Sequence, residues 1–153
     1  MQHEIATAFA HRQCPETVTL TALDDTLRAD ALFFANRDWR DITAEAWTEY
    51  SDAFYGLSPE AFLYFLPSIL SISLDPSNVL LVADALVTAL DTSANPDIWS
   101  DWFSDRFKAL TAGEIEVLKV WAAAFLNTVE KGEGSEYRRV HDTLTMLELA
   151  RQR

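Results

Sequence analysis

Apolar residues recur along most of the chain at three- and four-residue intervals, and no segment sustains the period-two alternation of a half-buried strand. Ile5, Ala8 and Phe9 mark a short first helix, and Leu20, Leu23, Leu27, Ala31 and Phe34 mark a second. Between them, Thr17 to Leu20 suits a brief extended stretch. Thr43 is placed to cap a third helix running to Tyr55. Ser58-Pro59, Asp75-Pro76 and Asn95-Pro96 each pair an N-cap side chain with proline at the first helical position, where its missing N–H is no loss. Thr111 and Glu114 have the spacing of a capping box, each side chain able to reach the other's amide. These starts predict helices over 59–73, 76–91, 96–108 and 112–131, with Gly56 and Gly132 as C-terminal stops. After the loop Lys131-Gly132-Glu133-Gly134, the residues Tyr137, Val140, Leu144 and Leu147 trace one stripe of a final helix.

How much of each helix is apolar orders them from core to periphery. From Val79 to Leu90 the only polar side chains are Asp84 and Thr88, and Ala61 to Leu74 holds little beyond serines. Pro67 lies inside the latter and removes one backbone hydrogen bond, which predicts a kink or a break. The expected fold is all-α, a single domain spanning 1–153 with roughly seven to eight helices around two very apolar central ones.

Composition fits that picture. In 153 residues, 49% are hydrophobic and 24% charged, with few glycines and prolines, so one core can be filled and a disordered or fibrous chain is excluded. The amino-terminal residues lack the basic and apolar regions of a secretory leader, so the mature chain is expected to start at Met1. Ala61 to Leu74 is too short and too interrupted to span a membrane, which takes about 20 apolar residues. Cys14 is the only cysteine, so no internal disulfide forms, and a reducing, cytoplasmic setting is expected.

The text from Phe33 to Thr43, FFANRDWRDIT, followed after a helix by Leu57 to Pro67, LSPEAFLYFLP, resembles an uncharacterised family of small bacterial helical proteins. Such proteins carry a Trp-x-Asp-Ile-Thr turn ahead of a Ser-Pro-Glu-Ala-Phe-x-Tyr-x-Leu-Pro helix start. The likeness covers residues 27 to 74 and implies a helical segment there. It implies no activity, although a toxin-immunity family would suit the charge pattern described below. From the residues alone, Trp39 seals the end of the second helix, and Phe62, Phe65 and Leu66 form an apolar face. A binding pocket lined by Trp39, Tyr64 and Pro67 is the alternative to simple packing.

No arrangement of reactive residues stands out. His3, His11 and His141 are too far apart in sequence to pair on one helix face, so no metal site and no cofactor is expected. Four glycines supply no phosphate-cradling loop, and no Gly-x-Ser-x-Gly or comparable nucleophile motif occurs. Cys14 has no His or acid beside it in sequence and reads as a small apolar residue. No enzyme is therefore expected. The rival is an enzyme or small-ligand binder with a pocket near Pro67, in which Tyr64, Asp84 and His141 would converge.

Charge says more. The formal net charge is −12, and between Arg40 and Arg106 no Lys or Arg occurs in 65 residues that hold 11 Asp and Glu. Glu45, Glu49 and Asp52 are spaced for one helix face, and Asp97, Asp101 and Asp105 for another at strict four-residue intervals. Like charges so spaced cost roughly 0.2–0.5 kcal/mol per pair, so stability does not favour them. On the opposite side of the later helix Trp99, Phe103, Arg106 and Leu110 form the buried edge, flanked by Ile98 and Trp102, so that Trp99 or Trp102 is the candidate anchor beside the stripe, and an aromatic anchor ringed by acid has the composition of an interface. Such a field repels nucleic acid and anionic membrane and speeds capture of a cationic protein. Solubility alone is the plain alternative for these stripes. The preferred expectation is an acidic, cytoplasmic immunity protein that neutralises a basic, nuclease-like toxin by direct binding; an adaptor or homo-oligomer is a further alternative.

Overall fold

The computed structural model describes residues 1–20, 24–129 and 135–152. The fold class is all-α: among the described residues there are nine α-helices and two 3-10 turns. The chain divides into two compact units, Phe9–Ala83 on one hand and Met1–Ala8 with Asp84–Arg153 on the other.

The Phe9–Ala83 unit is organised around α5 (Pro59–Ser73). Ser58 caps it as the sequence predicts, its hydroxyl accepting the Ala61 N–H at 3.2 Å, and Pro59 occupies the first turn. Every side chain from Ala61 to Leu70 is buried. The helix runs unbroken through Pro67, so the expected break is absent. Beyond the proline, the Ser68 hydroxyl donates to the Phe65 carbonyl at 2.6 Å and accepts the Trp47 indole N–H at 2.8 Å. Around it lie α2 (Asp25–Leu32), capped by Asp24, a 3-10 turn at Trp39–Asp41 that packs on α5, α3 (Ala44–Glu49) and α4 (Ala53–Gly56). Phe34 joins them, with its ring 4.6 Å from Trp47 and 5.1 Å from Phe65. Of the predicted second-helix stripe, Ala31 and Phe34 are buried, Leu20 precedes the helix and is exposed, and Leu23 lies outside the described residues. The brief extended stretch is present as a single antiparallel bridge between Thr19 and Leu57.

Three predicted boundaries move, each for a visible reason. The helix begun by Thr43 does not reach Tyr55. Tyr50 leaves helical geometry, and the chain restarts as α4 with the Asp52 N–H donating to the Asp30 carboxylate at 3.1 Å. Asp75-Pro76 starts no helix. Asp75 instead accepts the Ser77 N–H and hydroxyl, at 3.0 and 2.7 Å, and these bonds hold its carboxyl below the usual range. Asn78 then caps the end of α5, its side-chain amide donating to the Ile72 carbonyl at 3.2 Å. The next helix, α6, is confined to Leu81–Leu90. Finally, Asn95-Pro96 opens only a 3-10 turn, Pro96–Ile98, after which Trp99 is extended and Ser100 caps a new helix, α7 (Asp101–Phe107).

The other unit holds most of α1 (Gln2–Phe9), the later part of α6, α7, α8 (Ala112–Val129) and α9 (Ser135–Arg151). Helix α8 packs along α9. Val140, Leu144 and Leu147 are buried as their spacing predicts. Lys119 reaches from α8 to Glu148 of α9 at 3.0 Å. The predicted stop at Gly132 and the 131–134 loop lie outside the described residues. The capping box of α8 is complete: the Thr111 N–H donates to Glu114 at 3.0 Å, and the Glu114 N–H to the Thr111 hydroxyl at 3.2 Å. Glu114→Ala is expected to lower stability by about 0.5–2 kcal/mol, with Glu114→Gln keeping most of it because the amide oxygen still accepts. Chemical denaturation of the two variants side by side checks this.

Candidate protein-binding faces

The predicted acidic residues divide between the two units, Glu45, Glu49 and Asp52 in one and Asp97, Asp101 and Asp105 in the other. Each set is rearranged from its sequence pattern. Glu45 and Glu49 do share a face of α3, one helical turn apart, but Asp52 stands at the start of α4 and is half-buried. Asp101 and Asp105 share a face of α7, whereas Asp97 belongs to the preceding 3-10 turn. The single stripe therefore becomes a turn followed by a helix, because extended Trp99 and capping Ser100 separate them.

Trp99 is not presented to solvent. It is 7% exposed, its indole N–H donates to the Ser93 carbonyl at 2.6 Å, and its ring lies 5.1 Å from Phe103. Trp102 is half-buried, with the Arg106 guanidinium stacked 4.7 Å over its ring. The exposed apolar side chain beside Asp97 is Ile98, at 65%. Arg106, the first cation after the acidic stretch, turns inward: burial pushes its pKa down to about 10, against the pull of Asp105.

The acids of the stretch are not equivalent. Asp91 is held by Nε and Nη2 of Arg139, at 2.6 and 3.0 Å, and Asp75 is taken up by Ser77. Glu45, Glu49, Asp97, Asp101 and Asp105 are exposed, and none of them joins an ion pair among the described residues.

The Phe9–Ala83 unit also carries a feature that sequence reasoning missed. A groove of about 380 Å³ runs between α3, which contributes Glu45, Thr48 and Glu49, and the turn that contributes Ser77, Asn78 and Val79. Val79 is 84% exposed, and Leu81 two residues on is also exposed. The signal was hidden because Val79-Leu80-Leu81-Val82 reads as continuous core. Only Leu80 and Val82 of the four are buried, so alternate residues of the run face water at the entry to α6.

Trp39, Tyr64 and Pro67 are all buried, and burial pushes the Tyr64 phenol above its ordinary pKa against the Trp39 backbone amide. Cys14 adjoins the same turn. Burial raises its thiol despite the Asn36 and Arg37 amides, which keeps it protonated and a poor nucleophile. Of the polar trio, Tyr64 belongs to one unit and Asp84 and His141 to the other; Asp84 is exposed and His141 faces Tyr137 on its own helix. Among the described residues no three His, Cys, Asp or Glu side chains gather as a metal site, and no helix is long and apolar enough to cross a membrane. Comparison with family models, curated proteins and solved structures finds no match.

Proposed function

We propose that this chain is a non-enzymatic, immunity-type inhibitor that binds and neutralises a basic, nuclease-like protein. The observation that carries this reading is that Glu45, Glu49, Asp97, Asp101 and Asp105 are exposed and join no ion pair among the described residues, in a 65-residue stretch without Lys or Arg. A chain that needed acidity only for solubility gains nothing from excluding every cation locally. Mixed surfaces serve solubility as well, and unpaired like charges one turn apart are mildly destabilising. A protein whose own basic cleft holds nucleic acid is attracted by such a field at long range, so the effect falls mainly on the association rate.

The test uses the intact chain as bait in lysate of its native cell at low and high salt, followed by a nuclease assay of what is captured. Capture at low salt of an activity that added chain suppresses is the expected result. The triple variant Asp97→Lys, Asp101→Lys, Asp105→Lys should slow association by about tenfold or more at low salt, with a flattened salt dependence. Capture that resists high salt and survives the reversal would remove the acidic face around α7 from the interface. Failure of the bait to suppress any captured activity would count against inhibition itself.

A further inference from the structure

Resting on that reading, we infer that the groove beside α3 is the seat for an amphipathic helix of the partner, one with Lys or Arg four residues apart along the edge of an aliphatic stripe. The two walls differ in chemistry. Glu45 and Glu49 stand one turn apart on α3, exposed and outside any ion pair among the described residues, and no cation occurs within the surrounding stretch. Opposite them Val79 is almost fully solvated, and Leu81 follows it, also exposed. Two exposed aliphatic side chains at a helix entry are a cost to the isolated chain that an apolar partner surface removes.

Charge complementarity names the occupant. Carboxylates at positions i and i+4 of one helix match cations at i and i+4 of a helix lying alongside, since both pairs share the same turn spacing. Thr48 on the α3 wall and Ser77 and Asn78 on the opposite wall offer hydrogen-bonding groups to the polar edge of that helix. An anionic segment meets two carboxylates of like charge and is rejected.

The probe is a synthetic peptide of about 16 residues, long enough to form a helix, with leucines at i, i+3, i+4 and i+7 and flanking lysines four apart. Its binding to the full chain is followed by fluorescence anisotropy across ionic strength. Glu45→Gln with Glu49→Gln should weaken binding roughly three- to tenfold and reduce its salt dependence. Val79→Ser with Leu81→Ser should weaken it by a similar factor at unchanged salt dependence. Neutralising Asp97, Asp101 and Asp105 should leave it unaltered. All the substituted side chains except Leu81's lie outside α6, and circular dichroism of each variant checks that the helices persist.

Binding indifferent to both groove variants, or abolished only by the α7 variant, overturns the groove while leaving the capture experiment to judge inhibition independently. A wild-type chain that sediments as a dimer, with Val79→Ser and Leu81→Ser monomeric, assigns the groove to a second copy and overturns the helix proposal as well. Capture and inhibition without peptide binding would refute the groove alone.

Discussion

Trp47→Ala is expected to destabilise the Phe9–Ala83 unit by about 3–5 kcal/mol, the range for emptying a buried aromatic site. Trp47 is 1% exposed and is the one buried side chain of α3. It fixes that short helix by two contacts of different kinds, an apolar one to the Phe34 ring and a hydrogen bond to Ser68 of α5. Six residues of helix have little stability of their own, so the orientation of α3 comes from this anchor. Glu45, Thr48 and Glu49 face the groove because Trp47 faces the core. Trp47→Phe separates the two contacts: it keeps most of the apolar area and removes the hydrogen bond, at a cost nearer 1–2 kcal/mol on the scale of about 1 kcal/mol per bond plus a small void. Urea denaturation of the wild type and both variants measures the difference. A loss below about 1 kcal/mol for alanine would mean that the site collapses around the missing ring and that α3 is held elsewhere. Peptide binding to the groove should fall in the same order as stability.

Much of this architecture was legible because its signals are local. An N-cap hydroxyl followed by proline, or a Thr and a Glu three residues apart, satisfies amides within the same turn, and Ser58, Thr43 and Thr111 all behave as their neighbours predict. The same local grammar failed where a side chain had a competing partner. Asp75 and Asn95 carry the same Pro-following signature as Ser58. Asp75 closes on Ser77 while Asn78 finishes the preceding helix, and Asn95 caps a single turn that Trp99 ends by turning its indole to Ser93. Short-range propensity cannot decide between a start and a stop when the deciding bond reaches six residues back.

The candidate surface was legible in part for a related reason. Absence of cations over a stretch is a property of composition, and the structure keeps five of the predicted carboxylates exposed. Which residues share a face depends on helix boundaries, so Asp52 and Asp97 left their stripes when α3 and the 96–98 turn ended early. The buried edge of Trp99, Phe103, Arg106 and Leu110 follows its spacing, and Trp99 is no anchor for a partner because its indole N–H donates to a backbone carbonyl and its ring lies inside. The exposed pair Val79 and Leu81 was hidden, since aliphatic residues in a run suggest burial on all sides.

Gly56→Ala is expected to destabilise the same unit by about 1–3 kcal/mol or more, although alanine is the better helix former by about 1 kcal/mol. The sequence suggests a helix stop, and Gly56 does end α4, but it is not in the left-handed region that makes glycine a stop. It is there for space. A Cβ at this position would lie 2.2 Å from the Leu27 carbonyl oxygen and 2.8 Å from its carbon, both backbone atoms of α2. Side chains can rotate away from a clash, whereas a helix backbone must move as a body, and α2 and α4 are in close contact. Trimming Leu27 to alanine should therefore not rescue the variant, since the obstructing atoms remain. The packing term exceeds the propensity term, which sets the sign. Gly113, inside the first turn of α8, supplies the opposite case: its nearest neighbour to an added Cβ is the Thr111 hydroxyl at 4.0 Å, in open space. There the same substitution meets no obstacle, and Gly113→Ala should raise stability by about 0.4–1 kcal/mol through the unfolded chain and helix propensity. Thermal and urea melts of the two variants should move in opposite directions, and a stabilised Gly56→Ala would show that α2 and α4 are free to separate.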